Sequence, residues 1–196
     1  MDSLFIDSGF IKHIQTYTSL SKADLTYLTL ALKPTPIKKK EYLLKEGQVC
    51  KEIHFVEKGC LRLFFINEKG TEQTTQFALE NWWISDYMSF DRQNPSTFYI
   101  QAVENSEITS LDSSLQEDLI KKIPQLEKYF RLMLQKAFAA SQIRIKYLYE
   151  LSKEDSYQQF ISLYPGFVQR IPQYMLASYL GFTPEYLSEL RHKLKK

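Results

Sequence analysis

Cysteine is nearly absent from this chain. Cys50 and Cys60 are the only two among 196 residues. They read as reduced thiols, with a redox switch as the alternative. Two cysteines without other ligands cannot hold a four-cysteine iron–sulfur site. Histidine is equally scarce: His13, His54 and His192 lie far apart and form no metal-ligand spacing. No metal and no cofactor is therefore expected. Charge of one sign is lacking too, because the formal net charge is only +2. The whole surface does not mark a polyanion binder, and any nucleic-acid signal must be local. No run of about 18 apolar residues occurs, so neither a transmembrane helix nor a membrane partner is expected. The first residues, Met1 to Asp7, lack a basic segment followed by an apolar run, and a cytoplasmic location is expected. Glycine (6) and proline (7) are few, which argues against low complexity and disorder. No Ser–His–acid grouping, Gly-rich phosphate loop or metal cluster stands out, so the chain does not read as an enzyme.

What is present changes its period twice. Residues 4–32 read as short helices, with Ser21 as a cap and Asp24 in the first turn that follows. Residues 33–112 read as strands. Gly47, Gly59 and Gly70 punctuate them at intervals suited to an antiparallel sandwich or barrel. Residues 113–196 read as helices. Asp112 or Ser113 caps a short one that Pro124 interrupts. A long helix then runs over 125–151 without Gly or Pro. Phe130, Met133, Ala137, Ala140 and Leu148 are its candidate pairing positions, for a parallel coiled coil with a second copy. The alternative is an intramolecular core helix.

The end of the chain carries the most specific pattern. Pro172 suits a helix start, Gln173 to Leu180 forms a helix, and Gly181 can take the left-handed conformation that ends it. Phe182 is placed to plug the core beneath the turn. Thr183 caps the next helix, Pro184 suits its first position and Glu185 complements its dipole. Leu187, Leu190 and Leu194 form the buried face. This spacing predicts a helix-turn-helix. The opposite face carries Pro184, Glu185, Ser188, Glu189, Arg191, His192 and Lys195, and Arg191, Lys193, Lys195 and Lys196 make a positive end suited to phosphates. Thr183 and Tyr186 complete the candidate DNA-binding set. Glu185 and Glu189 oppose phosphate binding, and an ordinary helical hairpin is the competing reading.

In order and spacing the chain resembles the Crp/Fnr family of bacterial transcription regulators over nearly its whole length. The segment EGQVCKEIHFVEKGCLRLFFINEKGTEQ (46–73) is similar to the family's β-roll. WWISDYMSFDRQNPSTFYIQAV (82–103) stands where the family carries its phosphate-binding cassette, and RIPQYMLASYLGFTPEYLSELRHKL (170–194) matches its helix-turn-helix. The resemblance implies an α+β protein. A β-roll sensor (an antiparallel double-stranded β-helix or jelly roll) with flanking helices occupies 1–124, a dimerisation helix 125–151, and a helix-turn-helix domain without a following wing 152–196. It implies a homodimeric, sequence-specific regulator that binds double-stranded DNA. The alternative is a small-molecule-sensing or protein-interaction module whose helix-turn-helix is degenerate.

The departures from the family pattern bear on function. Ser85 stands for the cassette Gly, Asp86 for the ribose-binding Glu, and Ser96, followed by Thr97, for the phosphate-binding Arg. Arg92 lies four residues early. Losing a buried Arg–phosphate contact costs about 3–5 kcal/mol, so cyclic AMP is not the expected ligand. Ser85, Asp86, Tyr87, Ser96, Thr97 and Ser141 form the candidate effector pocket, with Phe90, Phe98 and Tyr99 as apolar lining. The alternative is that these aromatics are only β-roll core and that an effector is unknown or absent. In the recognition helix the family's two Arg positions fall on Pro184 and Glu189, while its Glu is matched by Glu185. The usual operator of the best-known members is therefore not expected.

Overall fold

The computed structural model describes residues 8–32 and 34–194. Lys195 and Lys196, counted above toward the positive end, lie outside the described residues. The chain packs as two compact units. One comprises the described residues up to Phe65 with Gln76–Gln135; the other comprises Ile66–Thr75 with those from Lys136 onward.

The first unit is an antiparallel β-roll with helices against one side. Its helices are α1 (Gly9–Gln15) and α2 (Lys22–Ala31), and its first strands are β1 (Pro34–Ile37), β2 (Tyr42–Leu44), β3 (Glu52–Lys58) and β4 (Leu61–Ile66). Then follow β5 (Glu72–Ala78), β6 (Trp83–Ile84), α3 (Tyr87–Arg92), β7 (Tyr99–Ala102), β8 (Ser106–Asp112), α4 (Ser113–Lys122) and the start of α5 (Gln125–Glu150). The strands form two four-stranded sheets, ordered β1-β8-β3-β6 and β2-β7-β4-β5. Non-consecutive neighbours of this kind make a jelly-roll arrangement rather than a meander.

Strand periodicity separates two cores. Leu61 and Leu63 of β4 point inward with Val56, Ile84, Ile100, Ala102 and Ile108. On β3, Ile53 and Phe55 alternate with Val56 and point the other way, against Phe10, Ile14, Leu28, Leu119, Leu126, Tyr129 and Phe130 from the helices. Each such side chain, once covered, contributes about 1.5–3 kcal/mol. Gly59 sits at the β3–β4 turn with φ +104°, where a Cβ would stand 2.2 Å from Ser106 Oγ. Only glycine fits that turn, for reasons of both conformation and space.

Helix caps fall where side-chain chemistry places them. Ser21 and Asp24 form a capping box on α2, and Asp112 caps α4 by accepting from Leu115 N–H. One helix departs from the sequence reading. Residues 33–112 were expected to be strand, yet α3 lies within them, capped by Asp86. Six residues are too few for helical periodicity to register.

Apart from residues 66–75, the second unit is helical. It contains most of α5, then α6 (Lys153–Leu163), a 3₁₀ turn (Phe167–Gln169), α7 (Gln173–Leu180) and α8 (Pro184–Lys193). Tyr157, Phe160, Phe167, Ile171, Met175, Leu176, Ala177, Leu187 and Leu190 are buried there. Among the described residues, no helix is long and apolar enough to cross a membrane.

Candidate nucleic-acid interface and sensor site

The helix-turn-helix forms from the residues that specify it. Gly181 ends α7 with φ +74°, and Phe182 N–H donates to Ala177 O at 2.8 Å. Thr183 caps α8 by accepting from Tyr186 N–H at 3.2 Å, with Pro184 at the first helical position and Glu185 in the first turn. Leu187 and Leu190 are buried. Leu194, expected beside them, is 45% exposed, because α8 stops at Lys193 and its last turn has no core to cover it. Pro172 precedes α7 with ψ 140° rather than occupying its first turn. Phe182 is only half-buried and packs edge-on against Tyr186, 5.4 Å between centroids, instead of filling the core.

The outward face of α8 presents Pro184, Glu185, Ser188, Glu189, His192 and Lys193 to solvent, with Thr183 exposed at its cap and Arg191 half-buried. Tyr186 is engaged locally. Lys153 Nζ lies 4.9 Å above its ring, and its hydroxyl donates to Glu154 Oε1 at 3.4 Å. Burial first, then Glu154, raises the phenol above its ordinary range. Arg191, His192 and Lys193 all lie in the last turn, where cations complement the helix dipole.

The cassette residues split into two groups. Ser85, Asp86 and Ser96 come together and are buried. Asp86 Oδ1 accepts from Met88 and Ser89 N–H at 3.1 and 3.2 Å, capping α3. Its other oxygen accepts from the Ser96 hydroxyl at 2.7 Å, and Ser96 Oγ in turn accepts from Phe98 N–H at 2.9 Å. Ser85 donates to Glu52 O at 3.2 Å and contacts Cys50 Sγ at 3.2 Å. Ser89 accepts from Cys50 N–H and donates to Asn94 O. Both carboxylate oxygens of Asp86 are thus bonded to the chain itself. Thr97 points to solvent, and Tyr87 keeps 39% of its surface, although burial and then Cys50 push its phenol up to about 12. Ser141 is exposed and donates back to Ala137 O at 3.0 Å along its own helix.

On α5 the expected pairing positions also divide. Phe130 is buried in the first unit's core and Met133 packs against that cluster. Ala137, Ala140 and Leu148 are exposed. A second stripe, which sequence reading passed over, is formed by Leu134, Phe138, Ser141, Ile145 and Leu148. Its apolar members are 50–66% exposed. The 4-3-4-3 spacing is a heptad seam and could have been counted from the sequence.

Comparison with known proteins adds to this geometry. The cyclic nucleotide-binding domain model matches residues 34–122. The regulatory protein HlyX of Actinobacillus pleuropneumoniae is 25% identical over 192 residues, covering 91% of this chain and 78% of that protein. The anaerobic regulatory protein of Pasteurella multocida is 27% identical over 176 residues, covering 82% of this chain and 62% of that protein, so less than two thirds of its length is spanned. Among solved structures, FixK2 from Bradyrhizobium japonicum aligns with a TM-score of 0.69 at 14% identity, over 84% of each chain, a likeness of fold alone.

Proposed function

We propose that the chain is a transcriptional regulator of the Crp/Fnr type and binds double-stranded DNA in a sequence-specific way through α8. The observation that carries this reading is the division of α8 itself. Leu187 and Leu190 hold it to the core, while Ser188, Glu189, His192 and Lys193 stand in solvent on a capped helix that follows a tight glycine turn. Side chains of the first turns of such a helix reach base edges, and the basic end supplies phosphate contacts. Glu185 and Glu189 accept hydrogen bonds but repel phosphates, so they select against most sequences more than they add affinity. The expected operator differs from one read by two arginines.

The functional form is a homodimer joined along α5. Leu134, Phe138, Ile145 and Leu148 give two parallel helices a continuous apolar seam, with Ser141 as its one polar layer. Ala137 and Ala140 flank it as small residues. A dimer presents two recognition helices and therefore reads a pseudo-palindromic site.

Cyclic AMP is not the effector. Ser96 supplies no cation, and Asp86 already spends both oxygens on α3 and Ser96. A buried cyclic phosphate without a compensating charge is strongly disfavoured. The cassette therefore serves an effector of other chemistry or holds the roll closed without one.

Selection of duplexes from a random pool, followed by titration over a range of salt, tests the reading. The expected result is binding with steep salt dependence that is lost in the double variant Arg191→Glu, Lys195→Glu. Unchanged affinity in that variant refutes the placement of α8 in a groove.

A further inference from the structure

The first two turns of α8 carry no arginine, lysine, asparagine or glutamine. Between Thr183 and Leu190 stand Pro184, Glu185, Tyr186, Leu187, Ser188 and Glu189. Leu187 is buried. The Thr183 hydroxyl oxygen is occupied by Tyr186 N–H at 3.2 Å. Tyr186 is held by α6, because its hydroxyl donates to Glu154 Oε1 at 3.4 Å and Lys153 Nζ lies 4.9 Å over its ring. What remains facing solvent is Pro184, Glu185, Ser188 and Glu189. A carboxylate only accepts hydrogen bonds, and a serine hydroxyl does either. The one arginine of this helix, Arg191, is half-buried in the last turn.

Glu185 has a local role, since it complements the helix dipole in the first turn. Glu189 has none. It lies past the reach of that dipole, and Glu185 stands four residues before it with the same charge. It forms no ion pair with Lys193 four residues on, and among the described residues it makes no hydrogen bond. Both its oxygens are open to a ligand.

The bases differ in what they show such a group. In the major groove guanine presents only acceptors, N7 and O6, and thymine presents an acceptor and a methyl group. Adenine offers the N6 donor, but its acceptor N7 lies beside it and repels a carboxylate. Cytosine offers the N4 donor with no acceptor of its own next to it. We infer that Glu189 is a specificity-determining residue that selects cytosine at one position of the half-site, by accepting from its N4 amino group. The inference rests on the DNA-binding reading of α8 and names the base chemistry that this helix takes. Guanine in place of that cytosine sets acceptors against a carboxylate, a mismatch worth about 5- to 150-fold in affinity. The charge of Glu189 also repels phosphates, so the residue separates the chosen site from others rather than tightening binding overall.

Selection of duplexes from a random pool by the full-length chain, by Glu189→Ala and by Glu189→Arg tests it. Glu189 is exposed, so neither change disturbs the core. The unaltered chain is expected to enrich cytosine at one position of each half-site. In Glu189→Ala that position alone should lose its preference. In Glu189→Arg it should turn to guanine, whose O6 and N7 accept from a guanidinium. Titration with paired duplexes should show the cytosine-to-guanine exchange weakening the unaltered chain by the factor above and favouring the arginine variant. Three results overturn the inference and leave the DNA-binding reading standing. They are a base other than cytosine at the position that Glu189→Ala alters, preferences in that variant identical to those of the unaltered chain, and loss of preference at all positions together. If Glu189→Arg enriches nothing, the alanine variant alone decides. If the unaltered chain enriches no duplex, the DNA-binding reading fails, and this inference with it.

Discussion

Replacing Ser96 with alanine distinguishes a cassette closed on itself from one waiting for a ligand. The hydroxyl makes two bonds in a position only 2% exposed: it donates to Asp86 Oδ2 at 2.7 Å and accepts from Phe98 N–H at 2.9 Å. Hydrogen bonds to a charged group contribute about 1.5–3 kcal/mol, and stranding a buried N–H adds about 1 kcal/mol more. Asp86 is itself 8% exposed, so little water reaches the vacated place. Ser96→Ala should therefore destabilise the β-roll by about 2–4 kcal/mol. Urea unfolding followed by tryptophan fluorescence reads this well, since Trp83 is buried in the same unit. The midpoint should move while the slope holds. An open, hydrated pocket would lose less than about 0.5 kcal/mol, and that result refutes the closed cassette. Calorimetric titration of the unaltered chain with cyclic AMP should show affinity two to four orders of magnitude below that expected with an arginine in place; micromolar or tighter binding contradicts the same reasoning.

Three other outcomes follow from single features. His54 is buried against Ser110 Oγ at 2.8 Å, and burial lowers its pKa from 6.5 to about 4. The unfolded chain then binds the proton first, so stability is complete above pH 6.5 and falls as the pH drops toward 4, by about 3 kcal/mol at most; His54→Asn should flatten the stability-versus-pH curve in that window, and parallel curves would exclude His54 as its source. Phe138→Glu should weaken self-association by two orders of magnitude or more, read by sedimentation, because about 2 kcal/mol of apolar burial is lost in each copy; an unchanged mass distribution places the dimer elsewhere. Gly59→Ala should cost about 2–4 kcal/mol, since its Cβ would meet Ser106 backbone and side chain at a positive φ; a thermal midpoint equal to that of the unaltered chain would show that the turn can relax.

The helix-turn-helix was legible in the sequence because its signals are local. A cap at Thr183, proline at 184 and a left-handed glycine at 181 act through their own backbone, whatever surrounds them. The family resemblance was legible for a related reason: turn glycines at 47, 59 and 70 recur at fixed intervals and hold positive φ in the structure. Local signals failed where two faces of one helix are both apolar. Along α5 the choice between Phe130–Met133 and Leu134–Phe138 depends on which face the β-roll core covers, and only packing decided that the first pair turns inward. The cassette shows the same division. The family resemblance aligned Asp86 and Ser96 with its ribose-binding and phosphate-binding positions. Their mutual bond across ten positions exists only because the folded chain brings them within 3 Å. Hydrogen bonds act only over about 3 Å or a little more, so chemistry between distant residues is written by tertiary structure, while caps, turns and periodicity are written in the chain.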